Sequence, residues 1–195
     1  SLTHARISDW RSDRDLFSRD LERDPFFREG RYVLAASHFE AGRSASARVP
    51  FRALEAVDPP VGMRAIYLGQ GAAVSLLCRV NLALGLASET VDLLGAQIRP
   101  DSGALSGAPA FFLCGARSLE KVGRSAEALE LYQVMHALPR IGEDPRVTLG
   151  LARVHARLGD LRAARGFLLR TPREVEGDPE YGESRRALES RLGRP

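Results

Sequence analysis

Arginine is the residue type that dominates the chemistry this sequence could perform. Lysine and arginine together number 28, and Lys121 is the only lysine. A guanidinium group favours bidentate contacts with carboxylate or phosphate groups. Arg79, Arg117 and Arg153 each stand six residues before a glycine. This repeated spacing predicts one line of positive charge that could bind carboxylates, although a preference for arginine codons would produce the same abundance.

Motifs of the common enzyme classes are missing from the sequence. It has no Gly-x-Ser-x-Gly elbow, no phosphate-binding Gly-Lys-Ser/Thr loop and no His-Glu-x-x-His. His38 and His155 each stand four residues before a glycine, and we interpret both as core histidines with a hydrogen-bond partner. The sequence therefore predicts a non-catalytic protein with no cofactor and no metal site.

Composition and charge exclude several other classes. The chain has 195 residues, 44% of them hydrophobic, and a net charge of +3. This charge is too small to demand a nucleic-acid partner. No apolar run approaches the ~20 residues of a membrane span, so direct membrane insertion is not expected. The chain starts with Ser and carries no signal-peptide pattern, which is compatible with a fragment of a longer protein and leaves the compartment open. We expect a cytoplasmic compartment if the chain is full-length and an extracytoplasmic one if it is a fragment of a membrane protein.

The two cysteines, Cys78 and Cys114, have no metal-binding spacing. Both fall at near-equivalent places on predicted helices. We interpret them as small buried residues, with a disulfide between repeats as the alternative.

A pair of short helices is predicted between residues 116 and 139. The second helix carries Ala128, Leu129, Tyr132 and Met135 at spacings of three and four. Gly123 is predicted to form the turn before it, Ser125 to be the N-cap, and Pro139 to end the unit. Two helices cannot bury their apolar face alone, so repetition is expected.

The same pattern recurs around four glycines. Small residues stand seven positions before each glycine, and Ala or Thr five positions after it. A large residue usually follows at nine positions after it, where it can fill the space beside the small one. The turn glycines are Gly42, Gly85, Gly123 and Gly159; the preceding small residues are Ala35, Cys78, Ala116 and Ala152; the following ones are Ala47, Thr90, Ala128 and Ala164; and the large ones are Phe51, Leu94, Tyr132 and Leu168. Asp-Pro pairs at 24–25 and 58–59, and at 144–145 and 178–179, repeat with a spacing of 34.

A helix–turn–helix unit of about 34 residues that ends in Pro resembles the tetratricopeptide repeat. The resemblance covers roughly residues 10–193 and implies an all-α solenoid of helix pairs forming a superhelix. We expect a flexible start at 1–9 and a single domain at 10–193. Within that domain we expect a half-unit at 10–25, repeats at 26–59, 60–100, 109–139 and 145–172, and a capping helix at 179–192.

The resemblance also implies a binding role. In this family the first helices line a concave groove that commonly binds an extended peptide. Its walls would be formed by Arg79, Arg117, Lys121, Arg153 and Arg157, with Tyr32 and Phe39 in the first full repeat. We therefore expect a protein or peptide partner with an acidic segment or a C-terminal carboxylate, and a homodimer is possible. The alternative is that these arginines form only a solvated helix face.

A rival interpretation places the chain in a larger protein. The opening residues Trp10, Asp13, Leu16 and Phe17 are similar to those of repeat domains appended to membrane-anchored, glycosyltransferase-like proteins. Hydrophobic spans upstream of Ser1 would favour this rival, in which the chain is an accessory repeat domain.

Overall fold

The structure is a computed structural model that describes residues 13–25, 27–57, 71–94, 109–175 and 178–193. These residues form helices and turns without any strand, which confirms the all-α prediction. Ten helices occur within them: α1 (Asp13–Arg23), α2 (Arg28–Glu40), α3 (Ser44–Val57), α4 (Gly71–Ala83), α5 (Ala87–Leu94), α6 (Pro109–Lys121), α7 (Ser125–Ala137), α8 (Pro145–Arg157), α9 (Leu161–Arg170) and α10 (Pro179–Leu192). No helix among them is long and apolar enough to span a membrane.

The chain divides into two compact units, Ser1–Leu86 and Ala87–Pro195. The boundary falls inside the predicted repeat at 60–100, between its helices α4 and α5. The single domain over 10–193 therefore stays a prediction. The predicted start at 1–9, Trp10, Pro59 and residues 60–70 lie outside the described part of the chain.

In the first unit, α2 packs against α1 and α3, and α3 packs against α4. The core contains Ala35, Ala47, Phe51, Leu77 and Val80, all buried. The two alanines lie at the predicted small positions, and Phe51 fills the predicted large one. The repeat register assigned from the sequence is therefore the packing register of this unit.

In the second unit, α6 packs against α5 and α7, and α8 packs against α7 and α9. Further contacts join α8 to α6 and α10, and α9 to α10. The small positions Ala116, Ala128, Ala152 and Ala164 are all completely buried. Small side chains at these contacts let the helices approach closely, as the sequence predicts.

The turn glycines have the backbone geometry that their spacing predicts. Gly42, Gly85, Gly123 and Gly159 have φ between 73° and 89°, the left-handed region that favours glycine. After Gly123, the amide of Arg124 donates to the carbonyl of Leu119 at 3.0 Å, which satisfies a carbonyl at the end of α6. Each first helix therefore stops at its glycine.

Two of the Asp-Pro pairs begin helices. The side chain of Asp144 accepts a hydrogen bond from the amide of Arg146 at 2.8 Å, and Pro145 opens α8. At the start of α10, the side chain of Asp178 accepts a hydrogen bond from the amide of Tyr181, and Pro179 is the first helical residue. The prediction that Ser125 is the N-cap of α7 is wrong: Arg124 holds that position without a side-chain cap bond, and Ser125 is already helical.

Candidate functional site

The strongest side-chain cluster of the second unit is built around Glu120, in the last turn of α6. Its carboxylate accepts two hydrogen bonds from Arg153 on α8, from Nε at 2.9 Å and from Nη2 at 2.6 Å. The Glu120 side chain is 3% exposed and that of Arg153 is 18% exposed. Arg153 Nη1 donates to Ser184 Oγ on α10 at 3.1 Å. Every nitrogen of this guanidinium is therefore engaged within the protein.

Tyr132 of α7 completes this cluster. Its hydroxyl donates to Glu120 Oε1 at 2.6 Å and accepts a longer hydrogen bond, 3.3 Å, from Arg153. Burial, together with the negative charge of Glu120, raises the pKa of Tyr132 well above its usual value. Burial works against the charged form of Arg153, but the hydrogen bonds that it donates to Glu120 and Tyr132, together with the charge of Glu120, outweigh burial and raise the pKa of Arg153. The cluster thus joins α6, α7, α8 and α10 through one buried carboxylate.

Arg157 and Lys121 lie at the ends of α8 and α6, and both are exposed. Arg157 Nη1 donates to the backbone carbonyl of Glu120, which brings the end of α8 against the end of α6. Neither Arg157 nor Lys121 forms an ion pair within the described part of the chain.

Arg117, one turn before Lys121 on α6, pairs with Glu180 in the first turn of α10. The Arg117 side chain is 27% exposed, and that of Glu180 is 62% exposed. A carboxylate therefore already occupies this arginine at the protein surface, in a position that water and solutes can reach.

The remaining predicted site residues lie in the first unit. The guanidinium carbon of Arg79 lies 4.9 Å from the centroid of the Phe39 ring, close enough for a cation–π interaction. Arg79 itself is exposed, whereas Tyr32 and Phe39 are partly buried against the core of this unit. The structure thus brings Arg79 and Phe39 together, and groups Arg117, Lys121, Arg153 and Arg157 separately in the second unit.

Sequence reasoning missed Glu120, although a signal was present. Three residues before a turn glycine, the other repeats carry Phe39, Leu82 and Ala156, so a carboxylate stands where the other repeats are apolar. A charge at such a position must find a buried partner. Glu180 and Ser184 offered no such signal, because their contacts depend on how α10 packs.

The histidine prediction can be examined at His155. Its ring stacks on Phe167 with centroids 5.4 Å apart, and Nδ1 lies 3.4 Å from Asp160 Oδ2. This is a packed histidine with a polar partner, as expected. Cys78 and Cys114 are both buried, and neither is a free thiol. In the described residues, no group of three His, Cys, Asp or Glu could hold a metal ion.

Comparison with known proteins agrees with this architecture. Residues 119–188, which run from the end of α6 into α10, match the family model of the tetratricopeptide repeat. A search of the curated proteins found no match. The matched segment contains the Gly123 and Gly159 turns and most of the Glu120 cluster. This match confirms the predicted resemblance to the tetratricopeptide repeat for this part of the chain.

Proposed function

We propose that the chain is a non-catalytic docking module that binds an acidic, extended peptide on its second unit. Tetratricopeptide repeats generally mediate protein–protein interaction. The binding residues are Arg117, Lys121 and Arg157, which we call the basic surface. Arg153, predicted from the sequence to be a fourth, instead holds the helices that carry them.

The observation that carries this proposal is the ion pair between Arg117 and Glu180. It supports carboxylate binding at the basic surface because one carboxylate already sits there, more than half exposed. An acidic ligand residue can take the place of Glu180 without exposing a buried charge. Lys121 and Arg157 then offer the next carboxylates of the ligand two further cations.

The first unit offers a separate surface of the same kind. Arg79 lies over the Phe39 ring with its guanidinium exposed, and Tyr32 is partly exposed nearby on α2. An aromatic face and a cation together suit a peptide residue that carries both apolar and acidic groups. We include Arg79, Phe39 and Tyr32 in the proposal as the binding residues of that unit.

Binding at the basic surface should be weak and sensitive to salt. Exposed ion pairs contribute only ~0.2–1 kcal/mol each, so three of them contribute at most about 3 kcal/mol, which alone corresponds to millimolar affinity or weaker. Because such pairs are screened over about 10 Å at 0.1 M salt, affinity should fall as ionic strength rises.

The test uses a labelled peptide of alternating Glu and Pro residues, which stays extended, in a fluorescence-anisotropy titration. We expect the double variant Lys121→Glu, Arg157→Glu to lose binding, whereas Glu180→Gln binds more tightly because the competing carboxylate is gone. The matched control is Arg173→Glu, Arg186→Glu, which makes the same change of charge at other exposed sites. Equal affinity of the two double variants would refute the proposal.

A further inference from the structure

The outward side of α9 exposes large apolar side chains among its arginines. Its inner face is covered, because Ala164 and Leu168 are buried in the core of the second unit. On the outer side, Leu161 is 48% exposed and Leu169 is 66% exposed, and Leu158 in the preceding turn is 50% exposed. These three exposed leucines, which we call the patch, have no partner in the described part of the chain.

The charge around this patch has a single sign. α9 contains Arg162, Arg165 and Arg170 and no acidic residue. Asp160, just before the helix, is used as its N-cap and accepts a hydrogen bond from the amide of Ala163 at 3.0 Å. A partner that covers the leucines must therefore bring carboxylates to the arginines around them.

A glycine, Gly166, lies on the exposed side of α9 although the packing of the fold does not require one there. It lies in the middle of α9, where a glycine costs roughly 0.5–1 kcal/mol relative to alanine. A Cβ built on Gly166 would meet no atom within 4 Å, and its φ is not in the positive region. Arg162, Gly166 and Leu169 follow one another at helical spacings of four and three. The glycine leaves bare backbone between a cation and an exposed leucine, where another helix can approach closely.

Two of the arginines are held in place. Arg170 lies over the Phe167 ring, 4.6 Å from its centroid, and its Nε donates to the carbonyl of Gly166 at 3.2 Å. Arg165 Nη2 donates to the carbonyl of Leu192 at 2.7 Å. Guanidinium groups that are fixed in this way present their remaining N–H groups in set directions. Such an arrangement suits carboxylates at defined spacings on a protein better than the mobile headgroups of a lipid surface.

We propose that this face, defined as Leu158, Leu161, Arg162, Arg165, Gly166, Leu169 and Arg170, docks an amphipathic helix of a partner protein whose apolar stripe is flanked by acidic residues. The partner helix lays its stripe against Leu169 and crosses α9 at Gly166, and Leu158 and Leu161 border this contact at the N-terminal end of α9. Its flanking carboxylates bind the arginines. This face shares no residue with the basic surface of α6 and α8, and the proposal stands without the proposed function of that surface.

The experiment measures binding of a synthetic helical peptide with Leu at every third or fourth position and Glu beside them. In Gly166→Gln, the new side chain favours the helix more than glycine does, so the hydrogen-exchange protection of α8 and α9 should not fall. We expect the affinity for the peptide to drop about tenfold, and to drop similarly in Leu169→Gln. Ala187→Gln, an exposed helical site on α10, is the control and should bind as the wild type does.

Other outcomes would overturn the proposal. It fails if the Glu peptide does not bind, if Gly166→Gln binds it as the wild type does, or if a peptide with Gln in place of Glu binds equally well. It also fails if phosphatidylserine vesicles bind and the peptide does not, or if sedimentation shows a self-association that Gly166→Gln abolishes. The variant Lys121→Glu, which changes the basic surface on α6, should bind this helical peptide normally, so this result is independent of the extended-peptide test.

Discussion

Replacing Glu120 with Gln should destabilise the second unit more than any exposed charge change. The substitution keeps the size of the side chain but removes the negative charge between Arg153 and Tyr132. Glu120 is 3% exposed and Arg153 18% exposed, so the arginine is left largely buried without a counterion. Removing one member of a buried ion pair costs about 3–5 kcal/mol. We expect the lower end of that range, because the amide oxygen of the new side chain can still accept one hydrogen bond.

Hydrogen exchange measured by mass spectrometry is the suitable assay. The chain divides into two compact units, so a single melting curve would mix their transitions. Peptides covering α8 report the second unit directly. A loss of about 3 kcal/mol should speed the exchange of the most protected α8 amides roughly a hundredfold. Peptides from α2 and α3 should exchange as in the wild type.

A double-mutant cycle separates the ion pair from general damage. Arg153→Met alone should also be costly, because it leaves Glu120 buried without its partner. The double variant Glu120→Gln, Arg153→Met should cost less than the sum of the two single changes, with a coupling of about 1–3 kcal/mol. Glu127→Gln, which removes the exposed pair with Arg124, should have little effect. Additive effects of Glu120→Gln and Arg153→Met would refute the reasoning.

Three further predictions concern the same unit. The pKa of Tyr132 is raised in the folded state, so the unfolded chain loses its phenol proton first and stability should fall as pH rises above about 10. In urea unfolding, the loss of stability between pH 8 and pH 11 should be smaller for Tyr132→Phe than for the wild type. Gly150→Ala should lower the hydrogen-exchange protection of α8, because its Cβ would lie 2.3 Å from the Tyr132 ring, whereas Gly166→Ala should raise that of α9; a rise in both would contradict this packing. Ala128→Arg should lower the free energy of unfolding by several kcal/mol, measured in urea, because it forces a charge into a completely buried site. Glu130→Arg, on the exposed side of α7, should cost little, and equal costs would show that the helical register assigned to α7 is wrong.

Much of the fold could be predicted because it depends on local rules. A turn that needs a left-handed residue selects glycine, and the spacing of Gly42, Gly85, Gly123 and Gly159 therefore records where the first helices end. Burial of Ala116 and Ala152 follows from the same spacing, because repeats that stack in the same way bury the same positions. Even α10 begins and ends where the sequence placed it. The N-cap of α7 was harder to predict, since Arg124 and Ser125 are both compatible with the turn.

The candidate site was less predictable because it depends on contacts between distant residues. Arg79, Arg117 and Arg153 share one offset from a glycine, and the sequence treats them as equivalent. In the structure Arg79 lies over Phe39, Arg117 pairs with Glu180, and Arg153 is enclosed by Glu120 and its neighbours. The repeat pattern determines the backbone position of each arginine, but residues of other helices determine what its guanidinium group contacts.

These different surroundings set the requirements for a ligand at the basic surface. Arg153 would have to leave Glu120 before it could bind a peptide, at a cost of several kcal/mol, so it contributes to binding only by keeping α6 and α8 together. Arg117 can exchange Glu180 for a ligand carboxylate at little net gain, because one exposed ion pair replaces another. Most of the added attraction must therefore come from Lys121 and Arg157, which lose no ion pair within the described part of the chain. A peptide should be selected by its acidic groups near these two residues, at the glycine-turn ends of α6 and α8.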